Sequence, residues 1–225
     1  MNYLDDRKQL GNILRRRINE LGLRQKDLID KQLTSSTISN IITGKRKVGK
    51  KTIACLCRKI GWELEKIPQY IEENEKKEAC RLKRLKLNLK SIETNIDGVG
   101  AKYALDQIKK LDLPDEPFIQ ATVAYLKGKC YYKKENWSKA RNHYFQAIHL
   151  YDAHPEIDYS NLKSACLYEL ARVYYRQNEF EYALKTARQG LKVFHPEGER
   201  KYYKYHLLIS EAIYLDSLGG SHESG

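Results

Sequence analysis

The sequence predicts an all-α protein: a small N-terminal domain of five helices followed by a solenoid of stacked helix pairs. Apolar residues recur at the three- and four-residue spacing of amphipathic helices, and no segment alternates as a strand does. In the second half a pattern recurs after 43 residues, which indicates a helical repeat. The predicted parts are a domain over residues 1–70, a linker or linker helix over residues 71–78, and a repeat domain over residues 79–225.

The helices of the first domain follow from apolar spacing and from residues that favour helix ends. Thr34 is a good N-cap for the third helix because its hydroxyl can accept a hydrogen bond from the first turn. Gly44 is a good C-cap for the same helix. The five helices are predicted at residues 10–21, 25–31, 34–44, 51–60 and 64–71.

The third helix has an unusual outer face. In the segment LTSSTISNIITGKRK (residues 33–47), the isoleucines fall on one side and short hydroxyl and amide side chains fill the other. A solvated face would normally carry Glu and Lys, which are better helix formers than Ser, Thr or Asn. Short hydroxyls and amides can instead pair with base edges in the major groove of DNA. The alternative interpretation is that these residues form only a capped helix followed by a solvated basic loop, with no role in DNA binding.

Positive charge is concentrated in the first domain. The chain has a formal net charge of +12. Residues 1–66 contain 16 Lys and Arg against 7 Asp and Glu, whereas residues 111–225 contain 15 of each. Such an excess predicts an anionic partner for the first domain. Combined with the outer face of the third helix, it favours double-stranded DNA.

The stretch GLRQKDLIDKQLTSSTISNIITGKRK resembles the helix-turn-helix of the lambda-repressor-like (Xre) DNA-binding domains, and the match covers residues 10–67. Its turn lacks the usual glycine and is one residue shorter, which is similar to the PlcR and NprR branch of the RRNPP peptide-pheromone receptors. The resemblance implies that the third helix enters the major groove of an operator and that the protein is a homodimer, because one domain reads only a half-site. The residues expected to meet bases are Ser35, Ser36 and Asn40, with Thr37 and Ser39 nearby, and those expected to hold phosphates are Gln25, Lys45, Arg46, Lys47, Lys50 and Lys51.

The repeat in the second half places small residues and aromatics at fixed positions. Gly128 pairs with Ala171, and Trp137 pairs with Phe180, in each case 43 residues later. This pattern resembles the tetratricopeptide (TPR) repeat, which implies a concave groove lined by the first helix of each pair. The side chains expected to face the groove are Tyr125, Lys129, Tyr132, Lys133, Tyr168, Arg172, Tyr175 and Arg176.

This ladder of tyrosines and cations predicts a binding site for a short peptide. Cations suit its carboxylates, and hydroxyls suit its backbone groups. We expect Lys129, Arg172 and Arg176 to lie close together without compensating charge. One alternative is a protein partner with an acidic tail, and another is that the tyrosines only stack while the cations extend out of the core. The sequence thus favours a transcription regulator whose second half senses a signalling peptide and forms the dimer.

No motif indicates an enzyme, a cofactor or a metal site. The five cysteines contain no C-x-x-C pair and are expected to be small buried side chains, and the six histidines form no ligand pattern. The N-terminus lacks a signal peptide and no run reaches 18 apolar residues, so we expect a cytoplasmic protein without a membrane span. The last helical pattern resembles half a repeat, which favours a chain truncated at its C-terminus.

Overall fold

The computed structural model describes residues 6–154 and 160–222. This part of the chain contains helices and turns but no strand. The predicted fold class, an N-terminal helix-turn-helix domain followed by a TPR-like α-solenoid, is confirmed. The chain divides into two compact units, Met1–Arg84 and Leu85–Gly225. The α-helices in chain order are α1 (Arg7–Glu20), α2 (Ser35–Thr43), α3 (Lys50–Lys59), α4 (Ile67–Gly98), α5 (Ala101–Lys110), α6 (Pro117–Lys133), α7 (Trp137–Ala153), α8 (Leu162–Arg176), α9 (Phe180–Lys192) and α10 (Tyr203–His222).

Helix α2 begins and ends at the residues that its sequence predicts. The hydroxyl of Thr34 accepts a hydrogen bond from the backbone N–H of Thr37 at 3.2 Å, which caps the helix. Gly44 ends the helix in the left-handed conformation, with φ of 65°. The isoleucine stripe is buried, and its members are Ile38, Ile41 and Ile42.

The segment before α2 is a short 3-10 helix, Gln25–Leu28, instead of the longer helix expected at residues 25–31. A side chain closes the turn that follows. The carboxylate of Asp30 accepts hydrogen bonds from the backbone N–H groups of Gln32 at 2.7 Å and Leu33 at 2.8 Å. This turn needs no glycine, because none of its residues has a positive φ. Lys59 pairs with Asp30 at 2.7 Å and lowers the pKa of that carboxyl.

Helices α1 and α2 approach each other closely through a glycine. Gly11 is buried in the middle of α1, and a Cβ atom added there would lie 2.4 Å from the carbonyl oxygen of Ile42. The side-chain hydrogen of glycine is therefore the largest group that fits. Gly44 makes a similar approach, since a Cβ atom there would lie 2.9 Å from the carbonyl oxygen of Arg7.

Helix α4 is continuous over Ile67–Gly98 and so includes residues 71–78, which the sequence assigns to a linker or linker helix. The boundary between the two compact units falls inside this helix, after Arg84. Its C-terminal part contributes buried residues to the second unit, and these are Leu85, Leu89, Ile92 and Ile96.

The second unit contains two helix hairpins of the same design, α6 with α7 and α8 with α9. Both turns contain one non-glycine residue at positive φ, Glu135 at 56° and Asn178 at 59°. Their hydrogen bonds also correspond: the N–H of Asn136 bonds to the carbonyl of Tyr131 at 2.9 Å, as that of Glu179 does to the carbonyl of Tyr174 at 3.0 Å. The 43-residue repeat of the sequence is thus a repeat of structure.

Three of the five free cysteines are buried as expected, and they are Cys57, Cys130 and Cys166. Burial raises the pKa of the Cys57 and Cys130 thiols to about 11. Cys80 is exposed, so the expectation that all five are buried is wrong for this residue. Across residues 6–154 and 160–222, no cluster of His, Cys, Asp or Glu side chains could hold a metal ion. No helix in these ranges is both long enough and apolar enough to cross a membrane.

Candidate functional site

The outer face of α2 presents polar side chains to solvent. Ser35 and Ser36 are exposed in its first turn, and Asn40 is half-buried one turn later. The hydroxyls of Ser36 and Thr37 lie 3.0 Å and 2.8 Å from the hydroxyl oxygen of Thr34. The side chains of Ser35 and Asn40 have no hydrogen-bond partner within the described ranges, so their donors and acceptors are available to a ligand.

A cleft of about 410 Å³ opens beside the C-terminal end of α2. Asn40 lines it together with three of the predicted cations, Arg46, Lys47 and Lys50. Arg7 of α1 also lines it, and sequence reasoning missed this residue because it precedes the helix-turn-helix pattern. The structure therefore unites one predicted base-reading residue with predicted phosphate-binding residues.

The first turn of α3 borders the same cleft, which Gly49 and Lys50 line. Gly49 is the N-cap of α3 and provides no side-chain acceptor. The N–H groups of Lys50 and Lys51 have no hydrogen-bond acceptor within the part of the chain that the structure describes. Free N–H groups at the start of a helix, together with the helix dipole, favour an anion.

The cations around α2 carry charge that no carboxylate in the described residues neutralises. None of them forms an ion pair with a carboxylate of the described chain, although the same unit pairs Glu20 with Arg16 and Asp30 with Lys59. All of them are exposed, and they are Lys45, Arg46, Lys47, Lys50 and Lys51. Gln25, the other predicted phosphate contact, is exposed at the start of the 3-10 helix and does not line the cleft.

A second cleft, of about 420 Å³, lies in the Leu85–Gly225 unit. Of the predicted groove residues, Lys129, Tyr168 and Arg172 line it. Its other lining residues were not predicted, and they are Lys90, Glu93, Thr94, Asp97, Glu169, Tyr202, Tyr203 and His206.

The two predicted cations that line this cleft, Lys129 and Arg172, are paired with carboxylates, which corrects the expectation that they lie together without compensating charge. Lys129 lies 3.7 Å from Glu93 and 3.9 Å from Asp97. Arg172 donates a hydrogen bond of 2.8 Å to Glu169, three residues before it in α8. Outside the cleft lining, Lys133 pairs with Asp97 at 2.9 Å, and Arg176 is exposed at the end of α8.

Two predicted groove tyrosines, Tyr125 and Tyr132, are buried and offer no surface to a ligand. Tyr125 is 0% exposed, and its hydroxyl donates to a carboxylate oxygen of Glu93 at 2.8 Å. The hydroxyl oxygen of Tyr203 lies 2.5 Å from that of Tyr125. Burial raises the pKa of Tyr125 well above its usual value. Tyr132 is 8% exposed and lies under the guanidinium of Arg172, 4.4 Å from its ring centroid. Both side chains belong to the core.

Tyr168 and Tyr175 are half-buried and pack mainly against other rings. Tyr168 lies 5.4 Å from the rings of both Tyr203 and His206, so one side of it borders the cleft. Tyr175 stacks on Tyr214 of α10 at 5.0 Å and does not line the cleft. Of the four predicted tyrosines, Tyr168 is therefore the one that the structure leaves at the cleft.

Glu169 is the least expected residue of this cleft. It is 2% exposed, and desolvation raises its pKa, although the adjacent Arg172 opposes that shift. The sequence holds a signal that could have found it. Glu169 stands 43 residues after Leu126, a fully buried apolar residue of the preceding hairpin. A charge at a core position of a repeat needs a partner, and Arg172 supplies it.

Comparisons with known proteins give one similar structure. No family model matches the chain, and no curated protein matches it. A solved structure with similarity to this chain is the crystal structure of Bacillus thuringiensis PlcR in complex with the peptide PapR7 and DNA. The two chains are 15% identical, with a TM-score of 0.37 over 93% of this chain and 91% of that chain.

Proposed function

We propose that this protein is a sequence-specific DNA-binding transcription regulator that acts in the cytoplasm as a homodimer. The observation that carries the proposal is the set of five unneutralised cations beside the polar outer face of α2. These unpaired charges favour the binding of a polyanion such as DNA. When Lys and Arg neutralise its phosphates, the counterions condensed on the DNA are released, which favours binding. The polar face gives a means of distinguishing bases that a basic patch alone lacks.

In this proposal, α2 enters the major groove, where Ser35 and Asn40 contact base edges. An asparagine side chain can make two hydrogen bonds to adenine, one donated and one accepted. The cleft beside α2 receives a backbone phosphate, which Lys47 and the N–H groups at the start of α3 bind. The phosphate contacts hold α2 in register with the bases.

Two substitutions at this cleft are expected to have different effects on DNA binding. Asn40→Ala should lose discrimination at one base pair, about 1–3 kcal/mol, while binding to random DNA stays unchanged. Lys47→Ala should weaken binding to every sequence and lower the slope of log K against log salt by about one. Titrations of a selected operator and a scrambled duplex across a salt series measure both effects.

Lys102→Ala is the control, because Lys102 is an exposed lysine of α5, outside the DNA-binding unit. It should bind both duplexes as the wild type does. If Asn40→Ala loses the same binding energy on operator and scrambled DNA, Asn40 does not read a base and its assignment is wrong.

We also propose that the cleft of the second unit binds a short peptide with a free carboxylate. The support is its mixture of cations and carboxylates, since a ligand carboxylate can join or replace Glu93 and Asp97 around Lys129. Lys90 lines the cleft, is exposed and has no ion-pair partner in the described chain, so it is the most available cation. The alternative ligand is an acidic tail of a protein partner.

A peptide that binds this cleft is expected to raise the melting temperature of the second unit. The free energy of unfolding should increase by RT ln(1 + [L]/Kd). Screening acidic peptides by thermal melts, each with a free or an amidated C-terminus, measures the effect. Lys90→Ala should reduce the shift, whereas Lys102→Ala should retain it.

Comparing the free and amidated forms of each peptide distinguishes a short peptide ligand from an acidic protein tail. A shift that disappears on amidation supports a peptide recognised by its terminal carboxylate. A shift that survives amidation favours an acidic tail, which is recognised through its side chains. If no acidic peptide raises the melting temperature, a carboxylate ligand for this cleft is excluded for the sequences tested.

A further inference from the structure

Helix α10 carries a continuous apolar stripe that is exposed to solvent. Each member stands three or four residues from at least one other member, so together they fall on one broad face of the helix. Apolar patches of this kind are uncommon on monomeric soluble proteins and mark interaction surfaces. The members are Tyr205 (67% exposed), Leu208 (45%), Ile209 (58%), Ala212, Ile213 (45%) and Leu215 (45%).

The position of α10 in the stack explains why this face is open. Helix α8 packs against α7 and α9, and also against α10. Helix α10 packs against α8 and α9, which bury its opposite face at Tyr203, Leu207, Ser210 and Tyr214. The stripe is therefore the face that a further element of the stack would cover. Stacked helical repeats need a cap or a partner on such a face.

The charges beside the stripe indicate which partner covers it. Lys204 stands near the start of α10 and Asp216 stands twelve residues later, and both are exposed. Neither forms an ion pair in the part of the chain that the structure describes, whereas Glu211 of the same helix is held by Arg188 at 2.6 Å. An antiparallel copy of α10 would bring Lys204 of each chain to Asp216 of the other.

The same arrangement suits the apolar side chains. In an antiparallel pair that crosses between Leu208 and Ala212, Leu208 of each copy faces the small Ala212 of the other, so the helices can approach closely. Tyr205 then faces Leu215 at both ends of the contact. The pattern is self-complementary, as a two-fold interface requires.

We propose that the exposed face of α10 binds the same face of a second copy of this chain in antiparallel orientation. The inference names the interface of the homodimer and rests on the proposed function only in that a two-fold operator gives a reason for two copies. The contact would extend from Lys204 to Asp216 of α10, about 18 Å along the helix axis. Its evidence is the stripe and the two unpaired charges, which are independent of DNA binding.

Sedimentation equilibrium of the full chain without DNA tests the proposal. We expect the wild type to dimerise and Ile209→Glu to weaken the dimer by on the order of a hundredfold, because the substitution buries two like charges near the crossing. Ile209 is 58% exposed, so the monomer should retain its far-UV spectrum and melting temperature. Leu87→Glu on α4 is the matched control, since Leu87 is 61% exposed on a different helix, and it should dimerise as the wild type does.

Charge reversal distinguishes a second copy from any other occupant. Lys204→Glu alone and Asp216→Lys alone should each weaken the dimer by on the order of tenfold, since each places like charges together at both ends. The double variant should restore it, because the pair is re-formed with opposite polarity. A different protein or a further segment of this chain would gain nothing from the double change.

Several results would overturn the proposal: a wild type that stays monomeric at high concentration, an Ile209→Glu variant that still dimerises, or a double variant no stronger than the single ones. These results leave DNA binding untouched, and operator titrations of the same samples report it separately. A monomer that still distinguishes operator from scrambled DNA refutes the interface and the homodimer but leaves sequence-specific DNA binding standing. A dimer without sequence preference refutes the proposed function alone.

Discussion

Replacing Gly11 with alanine is expected to destabilise the N-terminal unit by about 3 kcal/mol or more and to abolish operator binding. The added Cβ atom would lie 2.4 Å from the carbonyl oxygen of Ile42, and backbone atoms cannot move aside as a flexible side chain can. Helix α2 must shift away from α1 to relieve the clash. The loss should lower the melting temperature of a unit of this size by roughly 10 °C or more, as measured by circular dichroism.

Asn12→Ala is the matched control on the same helix. Asn12 is exposed next to Gly11, and alanine favours helix more than asparagine, so stability should stay the same or rise slightly. If Gly11→Ala melts at the temperature of Asn12→Ala and still binds the operator, the close packing of α1 on α2 is not required. Reduced binding at full stability would instead show that the change alters only the position of α2.

Arg172→Ala is expected to destabilise the second unit by about 1–3 kcal/mol, because it leaves the buried carboxylate of Glu169 without its hydrogen-bond donor. The sequence predicts a different outcome, because it places Arg172 among repelling cations. The structure pairs Arg172 with Glu169, which is 2% exposed and would be left as an isolated buried charge. Arg172 also covers the ring of Tyr132 at 4.4 Å, and that contact would be lost.

The destabilisation should depend on pH with a definite sign. Burial raises the pKa of Glu169 in the folded state, and loss of Arg172 should raise it further. The cost is absent below the usual pKa of a glutamate, where Glu169 is protonated in both states. This cost grows as pH rises from the usual glutamate pKa to the raised folded-state pKa. The melting temperature of Arg172→Ala should therefore lie further below that of the wild type at pH 8 than at pH 5.

Two variants show whether the isolated charge is the cause. Adding Glu169→Gln to Arg172→Ala should recover part of the stability at pH 8 and remove most of the pH dependence. Arg188→Ala breaks an exposed pair with Glu211 and should cost less than about 1 kcal/mol. If Arg172→Ala is no worse than Arg188→Ala at pH 8, the Glu169 pair contributes little to stability.

The sequence predicts the helix ends and the buried stripe of α2 well because these features are local. A hydroxyl at Thr34, a glycine at position 44 and isoleucines at helical spacing act within one helix, and the structure contains all three as expected. The contact of Gly11 with Ile42 is different. It joins residues of two helices whose distance is set by packing, and a glycine inside a helix gives no sign of which backbone lies against it.

The second cleft is harder to predict because equivalent residues of a repeat have different neighbours. Tyr125 and Tyr168 occupy the same position in successive hairpins. Tyr203 covers Tyr125 from 78 residues away, whereas Tyr168 remains at the edge of the cleft. The carboxylate of Glu93 comes from α4, which lies outside the repeat. Position in the stack decides burial, and a repeat pattern contains no information about it.

The matching turns at Glu135 and Asn178 restrict how the length of this chain can change. One residue inserted within α6 or α8 would rotate every later side chain of that helix by about 100° and advance it by about 1.5 Å. An insertion in α8 ahead of Tyr168 would therefore carry Tyr168 and Arg172 off the cleft wall while leaving the helix intact. Seven added residues, close to two turns, would rotate them by only about 20° but would advance them by about 10 Å. The number of residues ahead of Tyr168 in α8 therefore decides which side chains line the cleft.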